Sequence, residues 1–240
     1  MHYSTRGISL VKYKYGEESI IAKIFTEDFG LLSFSVKRGR GKKSKNKISL
    51  LQSLSLISLS AQTNNKSEVH ILKEIGLACS LENSYLNINK QLLRVFMAEV
   101  LTKILVVGEK DQRIFDFIWT ETQIINNDEK ISVNYAISFL LSLTYFLGFY
   151  PSKENMNYDF FDLETASFIP SAIITENIIS GKNLNNLKKI LLNNGGELHY
   201  KDRKTLLKII IQYYKAHHYN LDNLKSVSYT HLTLPTIYSV

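Results

Sequence analysis

The sequence predicts an α+β chain, with a small strand-built barrel first and an all-α helical domain after it. Three observations carry this prediction. β-branched, aromatic and polar residues alternate through residues 1–78. From about residue 89 onward, apolar residues recur at three- and four-residue spacings instead. Between the third and fourth strand patterns lies residues 37–47, KRGRGKKSKNK, in which seven of eleven residues are Lys or Arg and none is acidic or apolar. The whole chain has a formal net charge of +7, so this segment alone matches its entire positive excess.

The strands follow in order. Residues 7–15 carry Ile8, Leu10, Val11, Tyr13 and Tyr15, and residues 19–26 carry Ile20, Ile21, Ile24 and Phe25. Glu27-Asp28-Phe29-Gly30 reads as a turn, with Gly30 free to take a positive φ. Residues 31–36 then place Leu32, Phe34 and Val36 on one face and Ser33 and Ser35 on the other, which makes a hairpin with the preceding strand. The basic segment leaves that hairpin and reads as a solvated loop, because its charges repel and it has nothing to bury. Leu54, Leu56 and Leu59 alternate with serines in a fourth strand over residues 50–60. After a polar turn at residues 64–67, Val69, Ile71 and Ile75 mark a fifth over residues 68–75. Five short strands with no helix long enough to cover a sheet point to a closed OB-fold barrel.

The composition changes near Cys79, and residues 79–226 read as helical. Residues 89–107 form an amphipathic helix ended by Gly108, and Asp111 caps the next, which runs to about Ile125. A third starts at Ser132, is apolar on most sides, and closes at Gly148 before Pro151, so it belongs at the domain centre. A short hairpin is expected around residues 164–166, then a helix over residues 184–192 and a last one capped by Asp202. Residues 227–240, VSYTHLTLPTIYSV, carry no charge and continue no periodicity. They resemble translated sequencing-adapter read-through and are expected to be non-native, with the natural C-terminus missing and a last helix cut short.

Catalysis finds little support in the residues. Cys79 is the one cysteine, which excludes an internal disulfide and a cysteine-based zinc cluster. No two of the six histidines have a four-residue helical spacing. The acidic doublets Glu17-Glu18, Glu27-Asp28 and Asp128-Glu129 fit turns and caps better than a two-metal site. Gly39 to Ser44 lacks the glycine spacing of a phosphate-binding P-loop. No enzyme activity, metal or cofactor is expected. No apolar run reaches the ~18 residues of a membrane span, and residues 1–19 lack the apolar core of a signal peptide, so the cytoplasm is the expected location.

The basic segment is the candidate site. A cationic element beside a barrel can neutralise phosphates and release counterions without reading sequence. Lys37, Arg38, Arg40, Lys42, Lys43, Lys45 and Lys47 are the expected DNA contacts, with Lys12 and Lys14 on the first strand as neighbours. Lys23 and the late-helix cations Lys188, Lys189, Lys201, Arg203, Lys204 and Lys208 are secondary candidates. Tyr13, Tyr15 and Phe34 are candidate stacking platforms for bases.

Several pieces, in order, resemble the bacterial RecO family of recombination mediators. Thr5-Arg6-Gly7-Ile8-Ser9-Leu10 with Tyr15-Gly16-Glu17 is similar to the family's opening strand. Phe25-Thr26-Glu27-Asp28-Phe29-Gly30 matches its strand–turn signature, and Val36-Lys37-Arg38-Gly39 its basic exit. Phe139-Leu140-Leu141 with Leu147-Gly148-Phe149-Tyr150-Pro151 matches its "LGFxP" helix end. Phe161-Asp162-Leu163 and Ser167-Phe168 resemble the segment that follows, and Leu224-Lys225-Ser226 the start of its last motif. The resemblance implies an OB fold joined to a helical domain. It implies binding of single- and double-stranded DNA and annealing of complementary strands, including those coated by single-stranded-DNA-binding protein. It also implies loading of RecA together with RecR, at the nucleoid. Many relatives carry a four-cysteine zinc site after "LGFxP"; residues 152–168 here hold no cysteine, so no zinc is expected. An RNA-binding OB module and a nucleic-acid-processing enzyme with a basic substrate groove are alternatives compatible with the same residues. A membrane-surface role would need an amphipathic anchor that the sequence does not show.

Overall fold

The computed structural model describes residues 1–39, 41–63, 68–79, 87–128, 130–193 and 196–228. The chain divides into two compact units, Met1–Glu129 and Lys130–Val240. The change from strand to helix near Cys79 therefore occurs inside the first unit.

The expected barrel is present. Strands β1 (His2–Tyr15), β2 (Ser19–Thr26), β3 (Gly30–Lys37), β4 (Ser55–Gln62) and β5 (Val69–Leu77) close in the order β1-β2-β3-β5-β4. Only the β3–β5 pairing, from Ser33↔Val69 to Ser35↔Ile71, is parallel. The interior holds Ile20, Ala22, Ile24, Phe34, Val36, Ile57, Leu59, Ala61 and Leu72. Two register details differ from simple alternation. In β4 the barrel face is Ile57, Leu59 and Ala61, while Leu56, equally buried, lies on the other face, where helix packing covers the strand. In β5 a bulge opposite Ser60 and Ala61 turns Leu72 inward and leaves Ile71 exposed.

The basic loop is in fact a helix. Lys42–Leu50 forms α1; Lys37 ends β3, and Arg38, Gly39 and Gly41 lie outside regular structure. The physical reason lies just past the charge run. Ile48 and Leu51 sit one helical turn apart and seal one end of the barrel, which leaves Lys45 exposed on the solvated side of an amphipathic turn. Ser44 fixes the entry: its Oγ accepts from the Gly39 amide at 2.8 Å and donates to the Lys37 carbonyl at 2.8 Å.

Helices α2 (Ile88–Ile104) and α3 (Gln112–Asn127) complete the first unit. Asp111 caps α3 as expected, accepting from the Ile114 amide at 3.0 Å. Arg94 of α2 is buried, and its guanidinium donates to the carbonyls of Ser53 and Leu54, each at 3.1 Å. It thereby holds Leu54 in a left-handed conformation (φ 56°) at the entry to β4.

In the second unit α4 (Tyr135–Leu147) is buried on most sides, as its apolar sequence requires, and Gly148 ends it at φ 87°. The expected hairpin is β6 (Phe160–Asp162) with β7 (Ser167–Ile169); a third strand, β8 (Ile178–Ser180), joins it in the order β7-β6-β8. This part is thus helical with a small sheet rather than all helix. Helices α5 (Gly181–Leu191) and α6 (Tyr200–Ala216) pack with α4. His199 caps α6; Asp202, the expected cap, lies in its first turn and pairs with Lys182 at 2.7 Å. A short α7 (Lys225–Ser228) follows the buried Leu221 and Leu224. Residues 229–240 of the expected non-native tail lie outside the described residues.

Candidate nucleic-acid interface

The outer face of the barrel carries a groove of about 940 Å³. Its floor follows from register. Tyr13 pairs with Ile21, Ile21 with Ser35, and Ser35 with Ile71, so these four side chains cross the sheet in one row. Tyr15 and Val69 lie in the rows on either side, and Lys37, Lys47 and Lys73 also line the groove. Tyr13 is 47% and Tyr15 64% exposed, which suits stacking platforms. Phe34 is fully buried in the barrel core and is no platform: the alternation that puts Ser33 and Ser35 outward puts it inward.

A second cleft, of about 530 Å³, is lined by Lys12, Glu17, Arg38, Gly39, Lys45, Ile48 and Ser49. The Lys12 ammonium donates to the Ile48 carbonyl at 3.0 Å, and partial burial lowers its pKa. Lys14 shares the side of Lys12 by strand alternation. The expected cations are therefore split. Lys37 and Lys47 border the groove, whereas Lys12, Arg38 and Lys45 border the cleft. Lys42 and Lys43 form the first turn of α1, and Arg40 lies outside the described residues. Lys47 donates to the Lys73 carbonyl. Among the described residues Lys37, Arg38, Lys45 and Lys73 have no acidic side chain within ion-pair distance.

Lys73, Ile71, Val69 and Ile21 were not legible as site residues. The bulge in β5 breaks the period of two for the β5 residues, so sequence spacing assigns them the wrong face, and in β2 the adjacent Ile20 and Ile21 hide which of the two turns outward. Two late-helix candidates serve the fold instead. Arg203 is buried and donates to the Leu198 carbonyl, and Lys188 donates to the Tyr158 carbonyl at 2.7 Å while lying over the Phe168 ring.

The strand–turn signature beside the barrel is structural. Arg6 donates through Nε to Glu27 Oε2 at 2.7 Å and through Nη2 to Oε1 at 2.5 Å, and its guanidinium lies 4.8 Å from the Trp119 ring centroid. Thr5 donates to Asp28 at 2.7 Å, and Thr26 to the Gly30 carbonyl at 2.8 Å. The hydrogen bonds from Arg6 hold the Glu27 carboxyl below the usual glutamate range. Because the folded pKa is depressed, this stabilisation is present above the unfolded value, ~4.3, and is lost as pH falls through the folded one. We expect Glu27→Gln to lower stability at pH 7 and the gap to the parent to shrink as pH is taken down below ~4.3, by urea denaturation along the series. A gap that persists at low pH would assign the effect to packing.

Barrel order and closure define an OB-fold protein. Residues 1–80 match the family described as Recombination protein O N terminal. The chain is 31% identical over 231 residues to DNA repair protein RecO of Flavobacterium psychrophilum, with 94% of each chain covered. It is 30% identical over 230 residues to DNA repair protein RecO of Flavobacterium johnsoniae, again at 94% of each. The RecO of Azobacteroides pseudotrichonymphae is 26% identical over 237 residues, covering 96% of this chain and 98% of that one. The chain belongs to the RecO family of DNA repair proteins. Among the described residues no helix is long and apolar enough to cross a membrane.

Proposed function

We propose that the chain is a non-catalytic recombination mediator of DNA repair. In this reading it binds single- and double-stranded DNA, anneals complementary strands, including strands coated by single-stranded-DNA-binding protein, and helps RecR load RecA at the nucleoid. The observation that carries the reading is the groove, where exposed Tyr13 and Tyr15 share one surface with Lys37 and Lys73, cations without acidic partners among the described residues. The groove supplies two things that annealing requires. Cations screen the repulsion between two phosphate chains, and aromatic faces hold bases without occupying their pairing edges. Neither needs a metal or a nucleotide cofactor.

The test uses two complementary fluorescent DNA strands and measures pairing rate with and without protein, in the presence of magnesium and of unlabelled DNA or RNA competitor. The reading expects faster pairing with both strands left at full length, and stronger competition by DNA than by RNA. Strand cleavage would instead support the enzyme alternative, and preferential competition by RNA the RNA-binding one.

A further inference from the structure

Three elements meet at the basic segment, and each sorts its side chains the same way. On β1, Tyr13 and Tyr15 face the groove while Lys12 faces the cleft. At the exit of β3, Lys37 goes to the groove and Arg38 to the cleft. On α1, Ser44 and Lys47, one turn apart, line the groove, whereas Lys45, Ile48 and Ser49 line the cleft. Strand alternation and helical spacing are independent periodicities, so their agreement marks α1 and the end of β3 as a wall between two surfaces.

The two surfaces differ in chemistry. The groove has an aromatic and aliphatic floor with a lysine rim, which fits the bases and phosphates of an unpaired strand. Among the described residues the cleft has no aromatic side chain. It offers Arg38, Lys45 and Lys12, partly offset by the carboxylate of Glu17, which fits phosphates alone. Building on the DNA-binding reading above, we infer that one barrel holds two nucleic-acid tracks, an unpaired strand in the groove by base stacking and a second strand or duplex in the cleft by its phosphates. Arg38 and Lys45 are then specificity residues for the second track, and two strands meet across one wall of a single domain.

The experiment uses the full chain, a fluorescent oligo-dT strand and a blunt duplex carrying a second fluorophore. Tyr13→Ser with Tyr15→Ser is expected to weaken oligo-dT binding by about tenfold or more and duplex binding far less, because only unpaired bases stack. Arg38→Ala with Lys45→Ala is expected to do the reverse. With equimolar wild-type protein, both nucleic acids bind together and energy transfer appears between their fluorophores. A measurement on unaltered protein guards against misfolded variants: an oligo-dT strand bearing 5-iododeoxyuridine crosslinks to Tyr13 or Tyr15, and excess duplex leaves the crosslink in place. Mutual displacement, or equal weakening of both ligands by both variants, would overturn the two-track inference while sparing the DNA-binding reading. Failure of the wild-type chain to bind either DNA would overturn both.

Discussion

Gly30→Ala is expected to destabilise the first unit by about 3 kcal/mol, combining the left-handed conformation of a residue with a Cβ and a clash that nearby backbone cannot easily relieve. Gly30 has φ +68°, and a Cβ there would lie 2.0 Å from the Glu109 carbonyl oxygen. That contact is part of a seam. The Gly108 amide donates to the Leu31 carbonyl at 3.0 Å, Leu31 and Val107 form a parallel bridge, and Lys110 lies 3.7 Å from Asp28. The chain leaving α2 is thus stitched to the β2–β3 turn, and a methyl group at Gly30 pries the seam open. Gly16 supplies the control. It too has positive φ, +63°, but open space around its Cβ position, so Gly16→Ala should cost only about 1 kcal/mol. Urea midpoints of the two variants measure the difference. Equal midpoints would show that backbone conformation, not the Glu109 contact, makes glycine necessary at Gly30.

Phe149→Ala is the larger change for the second unit, at about 3–5 kcal/mol. Phe149 follows the left-handed Gly148 and turns into an aromatic cluster. Its ring stacks on His217 at 4.4 Å and on Tyr219 at 5.5 Å, and meets Tyr213 and Tyr214 edge-on, both at 5.3 Å. The same residue's carbonyl accepts from the Tyr213 hydroxyl, and the Tyr214 hydroxyl donates to the Leu140 carbonyl at 2.7 Å, tying α6 to α4. Burial pushes the Tyr214 phenol well above its ordinary pKa and lowers that of the His217 imidazole, so both stay neutral inside the cluster. Tyr145, 68% exposed on the same helix end, is the comparison: Tyr145→Ala should lie within about 0.5 kcal/mol of the parent. Thermal melts of the full chain distinguish the two, and a small loss at Phe149 would mean that the cluster repacks.

What was legible in the sequence follows physical lines. Local chemistry reads well: Gly30 and Gly148 in left-handed turns, Asp111 as a cap, and the β6–β7 hairpin all announce themselves by residue type. Long-range packing does not. The basic stretch reads as a loop because the apolar residues that make it a helix, Ile48 and Leu51, lie at its far end and matter only once a barrel end exists to be sealed. Phe34 reads as a platform by its type, while its register places it in the core. Lys73 and Ile71 reach the site through a bulge whose position depends on pairing with Ser60 and Ala61. The "LGFxP" match is explained by the second unit's core, with Gly148 as the stop and Phe149 as the anchor, and needs no functional role. The stretch after it closes around Phe161, Leu163 and Phe168, buried apolar side chains whose two rings meet at 4.9 Å.

The central claim is that the cations leaving β3 and lining α1 contact DNA phosphates. It is tested by the slope of log K against log salt, for a single strand with Lys37 and Lys47 replaced by alanine and for a duplex with Arg38 and Lys45 replaced by alanine, each against the parent. Each lost phosphate contact removes about 0.7 from a single-strand slope and about 0.9 from a duplex slope, so each variant should bind its ligand more weakly with a slope shallower by about 1–2. A variant that retains the parent slope would contradict the claim and leave these residues as the solvated face of a barrel-sealing helix.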